Sequence, residues 1–138
     1  MLLVKTRIDK SKSHGIGLFA DQYIRKGTPT WKYHPEFDSN FTIKQINKLP
    51  AFLRKRLLDF LYFDYDLNKY ILCCDDQRFI NHSGNPNIKS TPTVDIASRN
   101  IKKGEELTCN YEEYEKDWFK NRGLSKKKFD SISKTRHA

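Results

Sequence analysis

Three short strings in this 138-residue chain hold residue types able to do chemistry. The first is Lys12-Ser13-His14-Gly15-Ile16-Gly17-Leu18-Phe19-Ala20. A G-x-G turn lets backbone come close to a ligand and offers bare N–H groups to an anion. The second is Arg78-Phe79-Ile80-Asn81-His82-Ser83-Gly84-Asn85-Pro86-Asn87, where Asn, Ser and His side chains can fold a loop by bonding its own backbone. The third, Lys103-Gly104-Glu105-Glu106-Leu107-Thr108-Cys109-Asn110-Tyr111, runs from a turn into a strand that ends on a tyrosine. A phenol with a pKa near ~10 keeps its proton at neutral pH, so Tyr111 can donate a hydrogen bond and orient dipoles. Each string alone also fits an ordinary turn, a structural histidine or a core tyrosine.

The elements that must position these strings are short. Rough alternation predicts an edge strand over Met1 to Ile8, a polar turn at Ser11 to Gly15, and a strand through Gly17 to Ala20. The apolar context after Gly17 is strand rather than helix, which excludes the dinucleotide-binding version of a glycine-rich turn. Thr42 is a plausible N-cap for a helix over Ile43 to Leu49, and Pro50 restarts the pattern. Phe52, Leu53, Leu57, Phe60 and Leu61 then recur at helical spacing, opposite Arg54, Lys55, Arg56 and Asp59. Further strands are expected over Tyr70 to Cys74, Val94 to Ala97 and Leu107 to Tyr111. The class expected is α+β, mostly β, with many short strands around one inserted helical segment.

The composition bounds the remaining choices. Twenty-six Lys and Arg against 17 Asp and Glu give +9, of which +6 sits in residues 119–138. The body is nearly balanced and the last twenty residues form a basic tail, expected to be frayed or disordered. No apolar run approaches the ~18 residues of a membrane span. Three cysteines, Cys73, Cys74 and Cys109, have no C-x-x-C pairing, and the four histidines are scattered. Reduced thiols, an intracellular setting and no structural metal are expected.

Taken in order, G-x-G-Leu-Phe, Arg-Phe-Ile-Asn-His-Ser with Asn-Pro-Asn following, and Gly-Glu-Glu-Leu-Thr-x-Asn-Tyr resemble the SET-domain protein-lysine methyltransferases. The resemblance covers roughly residues 1–120, with a helical insert at about 36–66 and a basic tail at 121–138. It implies a fold of short strands in which the second and third strings thread together as a pseudoknot. It also implies S-adenosylmethionine as cofactor, bound in a bent pose. The backbone around Gly15, Ile16 and Gly17 would then hold its methionine part. Asn81 and the main chain at His82 would meet its amino-acid and adenine ends, and Trp118 would lie against the adenine ring.

By the same resemblance Tyr111 is the catalytic tyrosine, and the lysine enters a narrow aromatic channel. Tyr62 and Tyr65 are both candidates for its walls, Tyr65 on the cofactor side, and the sequence does not choose between them. Cys109, two residues before Tyr111 on the expected strand, should share its face. It stands where relatives carry Phe or Tyr, so the extra room is expected to permit di- or trimethylation. The implied partner is a protein with a target lysine, a histone tail or another basic protein. The tail offers a nucleic-acid or chromatin contact, membranes are not expected, and a monomer and a homodimer are both open. The lack of zinc-binding cysteine clusters is similar to minimal bacterial and large-virus forms, and the aromatic segment Tyr114 to Phe119 would then have to complete the pocket. That likeness implies a bacterial or virus-infected cytoplasm, or the host nucleus, as the expected setting. The opposing reading is a catalytically inactive SET-like module that binds nucleic acid or protein through its basic surface.

Overall fold

The computed structural model describes residues 1–127. Among these residues, ten short strands form three small sheets. The first sheet starts with an antiparallel hairpin of β1 (Thr6–Lys10) and β2 (Ile16–Ala20). Strand β10 (Glu106–Cys109) lies antiparallel to β2 and parallel to the two-residue β7 (Asn81–His82), giving the order β1-β2-β10-β7. The second sheet has the order β3 (Pro29–Lys32), β9 (Val94–Ala97), β8 (Ile88–Ser90). The third has β4 (Ser39–Phe41), β6 (Lys69–Leu72), β5 (Leu61–Asp64). Both of these are antiparallel throughout.

The expected α+β, mostly β class is what the chain adopts, and the predicted strand over Val94 to Ala97 matches β9. Alternation works there because the strand has one face in the core, with Asp95 and Ala97 buried and Val94 and Ile96 less so. The main core gathers Leu18, Ala20, Ile24, Ile80, Ile88, Ala97, Ile101, Leu107 and Cys109 between the first two sheets. A second cluster, Trp31, Tyr62, Ile71 and Cys73, joins the second and third sheets.

The insert is less helical than its spacing suggests. Helix α1 (Ile43–Asn47) starts where expected: Thr42 Oγ1 accepts from the Gln45 amide at 3.1 Å, and Gln45 Oε1 accepts from the Thr42 amide at 2.8 Å. This reciprocal pair satisfies two amides that the first turn cannot. Helix α2 (Ala51–Leu58) follows Pro50 but buries no residue, and Phe52 is 80% exposed. Strands β4 and β5 flank the two helices, so the apolar residues at Phe60 and Leu61 belong to a turn and a strand rather than to a helix face.

The packed structure also does not stop at residue 120. Helix α3 (Trp118–Asn121) leads to Arg122, whose guanidinium is sealed in the fold. It donates to Glu115 Oε2 at 2.7 Å and Oε1 at 3.1 Å, and to the carbonyls of Leu58, Leu61 and Trp118. Arg122 also lies 4.0 Å over the Trp118 ring. Glu115 accepts the Phe63 amide at 2.6 Å, which ties this C-terminal segment to β5. Two residues counted as tail charge behave differently: Arg122 is structural, and Lys126 pairs with Glu112 at 3.0 Å. The rest of the expected tail, 128–138, lies outside the described residues.

Candidate active site

The three chemistry-bearing strings meet at the β2-β10-β7 edge. Asn81 is the joint. Its side-chain amide donates to the carbonyls of His14 (2.9 Å) and Ile16 (3.2 Å) and to Glu106 Oε1 (3.0 Å). One side chain thus holds the Gly15 turn against β10. Glu106 Oε2 accepts from Ser11 Oγ at 3.0 Å, and Ser11 Oγ in turn accepts the amides of Ser13 and His14. The two glycines have separate causes. Gly15 takes φ +50, the left-handed region that costs a Cβ-bearing residue energy. Gly17 has no room, because a Cβ there would overlap Glu106 Oε1.

The second and third strings thread as the resemblance implies. Beyond the parallel β7–β10 pairing, the Ser83 amide donates to the Cys109 carbonyl at 2.9 Å. The Asn87 side chain works as a short stretch of strand, donating to the Glu106 carbonyl and accepting the Thr108 amide, both at 2.9 Å. His82 Nδ1 accepts the Tyr111 amide at 3.1 Å, and its ring packs on Tyr111 and Phe119. The Tyr111 hydroxyl donates to the Ile80 carbonyl at 2.6 Å. Burial, with the nearby Cys109 sulfur adding to it, pushes the Tyr111 phenol far above its ordinary pKa. It stays protonated across the physiological range, its hydrogen committed to Ile80 and its oxygen lone pairs left as acceptors.

Two adjoining cavities share a wall. The larger, about 480 Å³, is lined by the His14-Gly15-Ile16 backbone, Asn81, His82 and the rings of Phe60, Phe79, Tyr111 and Trp118. Arg56, Arg78 and Asp59 bring charge to it. The smaller, about 40 Å³, is walled by Trp31, Tyr62, Tyr111, Tyr114 and Trp118, with Asp95 and Gln77 among its polar groups. Tyr111 and Trp118 face both cavities. Their ring centroids are 4.5 Å apart, and Tyr114 and Tyr62 continue the aromatic row at 5.9 and 5.2 Å.

The candidates therefore separate. Gly15, Ile16, Asn81, His82, Tyr111 and Trp118 come together around the larger cavity, while Gly17 stands behind it against Glu106. Tyr62 lines the smaller cavity, its hydroxyl donating to the Pro92 carbonyl at 2.8 Å. Tyr65 lines neither cavity: it is 57% exposed, stacked edge-on to Phe63, with its hydroxyl on the Lys116 carbonyl. Cys109 departs from the expected channel face. The strand ends there, and the chain turns at Asn110 into a 3-10 turn over Tyr111–Glu113, so the two-residue alternation no longer relates Cys109 to Tyr111. Cys109 is fully buried in the main core, with Tyr111 and Tyr114 packed on that cluster.

Four residues that line or support these cavities are not marked out by the motifs. Glu106 sits inside a quoted string, but its role appears only when Gly17 and Asn81 are seen beside it. Tyr114 lies in the aromatic segment expected to complete the pocket, outside the three strings, and Trp31 reads as an ordinary core aromatic. Asp95 does carry a signal, a lone charge inside the apolar run Val94 to Ala97. Among the described residues, no group of three His, Cys, Asp or Glu is placed to hold a metal ion.

Comparison with known proteins agrees with this threading. The SET domain family model matches residues 15–112. A Mycosarcoma maydis protein named as a histone-lysine N-methyltransferase, H3 lysine-36 specific, is 33% identical over 119 residues, covering 78% of this chain. The match spans only 12% of that protein. Among solved structures, a Plasmodium falciparum protein described as a candidate histone methyltransferase superposes with TM-score 0.58 at 23% identity, covering 80% of this chain and 95% of that one. The Chaetomium thermophilum Polycomb Repressive Complex 2, in an inhibitor-bound form, superposes with TM-score 0.61 at 21% identity over 85% of this chain and 16% of that one. Another structure of the complex, bound to S-adenosylmethionine, gives 0.62 at 20%, over 86% and 16%. With a turn, a loop and a strand end knotted around one tyrosine and a family model spanning all three, the chain belongs to the SET-domain family.

Proposed function

We propose that this chain is an S-adenosylmethionine-dependent protein-lysine N-methyltransferase. The observation that carries the reading is the shared wall: Tyr111 and Trp118 border both a ligand-sized cavity and a narrow aromatic one. Transfer between two bound molecules needs two sites that open on each other.

The larger cavity suits the cofactor by the chemistry of its lining. Its volume falls within the roughly 300–1,000 Å³ of small-molecule sites. The guanidinium groups of Arg56 and Arg78 suit a carboxylate, Asp59 suits an ammonium or ribose hydroxyls, and Phe60, Phe79 and Trp118 suit a purine face. When bound, S-adenosylmethionine supplies a methyl group on a cationic sulfur. The chain's own part is to bind, align and keep water out. The Ile80 carbonyl and the Tyr111 oxygen turn acceptor dipoles toward cationic groups at the junction. The rings of Tyr62, Tyr111, Tyr114 and Trp118 grip a lysine stem and favour an alkylated ammonium through cation–π attraction. Desolvation in that narrow space lowers the lysine pKa and frees its lone pair. Since Tyr111 keeps its own proton, its role is orientation rather than proton removal.

The proposed substrate is a histone tail or another basic protein, and the excess of Lys and Arg in residues 119–138 steers the enzyme toward nucleic-acid-rich assemblies. The proposed setting is the interior of a bacterial or virus-infected cell. Incubation with radiolabelled cofactor and either core histones or ribosomal proteins tests the reading. Label is expected on lysine with the wild-type chain and at least a hundredfold less with Tyr111→Phe. Undiminished transfer by the variant overturns the role given to Tyr111, and no transfer to any protein overturns the activity.

A further inference from the structure

The smaller cavity holds a charge that its aromatic walls do not explain. Asp95, on the buried face of β9, is 3% exposed and lines this cavity with Trp31, Tyr62, Tyr111 and Tyr114. One carboxylate oxygen accepts from Gln77 Nε2 at 2.6 Å. The Ser90 hydroxyl also reaches this carboxylate, but a carboxylate has about four acceptor positions, so two donors leave it under-satisfied in a dry site. The indole N–H of Trp31, on the same cavity, is buried without a partner. Buried polar groups in folded proteins are nearly always satisfied, and an exception that faces a cavity has room for a water or a ligand to complete the set. Asp59 and Arg78 also border this cavity, but Asp95 is the carboxylate buried among its aromatic rings, and rings beside such an acceptor suit an alkylammonium that still has an N–H to give.

We propose that Asp95 receives the substrate's amine in the smaller cavity and limits how many methyl groups it can gain. The proposal rests on the methyltransferase reading. During transfer the nitrogen lone pair must point at the methyl sulfonium donor: a new N–C bond forms, the C–S bond breaks, and its electron pair stays on sulfur. The ammonium proton has already left to solvent. A neutral primary amine then has two N–H bonds and a monomethylated one has a single N–H, so either can be held by Asp95 while its lone pair attacks. A dimethylated amine has none. It would leave the carboxylate buried without its partner, so the first two transfers are supported and the third is not. This narrows the expectation attached to Cys109, which lies in the core rather than at the channel wall.

Mass spectrometry of core histones after exhaustive reaction reads the product directly. The wild-type chain is expected to stop at dimethyl-lysine, and Asp95→Leu to carry a substantial fraction to trimethyl-lysine. Trimethyl-lysine as the main wild-type product overturns the assignment, as does an unchanged product pattern in a folded Asp95→Leu variant. A binding experiment without cofactor covers the case in which Asp95→Leu fails to fold. Trp31 and Trp118 line the cavity, so their fluorescence reports titration with n-butylammonium against butyltrimethylammonium, in wild type and in the near-isosteric Asp95→Asn. The wild-type preference for the N–H-bearing amine is expected to fall about tenfold in the variant. A preference ratio that does not change overturns the assignment. If the wild type methylates nothing, the transferase reading fails and this titration alone decides whether Asp95 binds amines.

Discussion

Glu106 occupies the space that a side chain at Gly17 would need, and from there it holds Asn81 and Ser11. The glycine is therefore part of the cavity's support, although its backbone is not what lines it. Gly17→Ala is expected to push Glu106 aside and loosen the His14–Ile16 turn. The stability cost should be about 1–3 kcal/mol, typical of an overpacked site. Cofactor affinity should fall more than that loss explains. Urea midpoints and calorimetric titration with S-adenosylmethionine separate the two effects.

Tyr111 joins packing and chemistry in one ring. Tyr111→Phe removes the hydrogen bond to the Ile80 carbonyl and leaves a buried acceptor unsatisfied. A destabilisation of about 1–3 kcal/mol is expected. Transfer should fall by about a hundredfold, the scale of losing one preorganised polar group. A rate loss that vanishes when measured well below the melting temperature would reduce Tyr111 to a structural role.

Arg122 and Glu115 form a buried ion pair with almost no solvent access on either side. Removing one partner strands the other charge, which costs about 3–5 kcal/mol. Arg122→Ala is expected to lower the urea midpoint sharply and to disorder the Trp118 face of the cavity. A chain cut after Lys120 should behave in the same way. Phe52→Glu is the control: at 80% exposure its change should stay within about 0.5 kcal/mol.

The carboxyl of Asp95 titrates at about 7, pushed up first by burial and further by the Glu113 charge, against the Ser90 hydroxyl, the Gln77 amide and the Met1 ammonium. Tyr114, Cys73 and Cys109 also face it, and burial keeps all three neutral there. The unfolded value is near ~3.9, so between about pH 4 and 7 the folded chain holds a proton that the unfolded chain has lost. Stability from this group is full below that window and declines as pH rises through 7. The total is on the order of 4 kcal/mol. Asp95→Asn should flatten that slope, as read from chemical denaturation at pH 5 and pH 8.

How much of this is legible in the sequence depends on range. Thr42 and Gln45 announce a helix start because both partners lie within four residues, and Val94 to Ala97 announces a strand because alternation is local. The exposed α2 is not legible, since its apolar spacing says nothing of whether a neighbour covers it. Nor is the choice between Tyr62 and Tyr65, three residues apart on opposite sides of β5's end, decided by anything except what packs there. Cys109 fails for a different reason: the alternation rule holds only while the strand continues, and Asn110 ends it. Glu106 and Asn81 lie 25 positions apart, so their bond leaves no local trace in the sequence.

The parallel pairing of β7 with β10 has a consequence in time. Most of the second and third sheets is complete once the chain reaches Ala97, yet the larger cavity still lacks Tyr111 and Trp118 from its wall, and Glu106 and Arg122 that hold Asn81 and Trp118 in place. The Tyr111 hydroxyl finds Ile80 across 31 positions, and only after β10 has slid between β2 and β7. Long-range closures of this kind come late in folding and are slow. During synthesis the scaffold therefore precedes the pocket. A chain that stops before residue 106 lacks the strand that joins β2 to β7, and with it the tyrosine at the centre of the site.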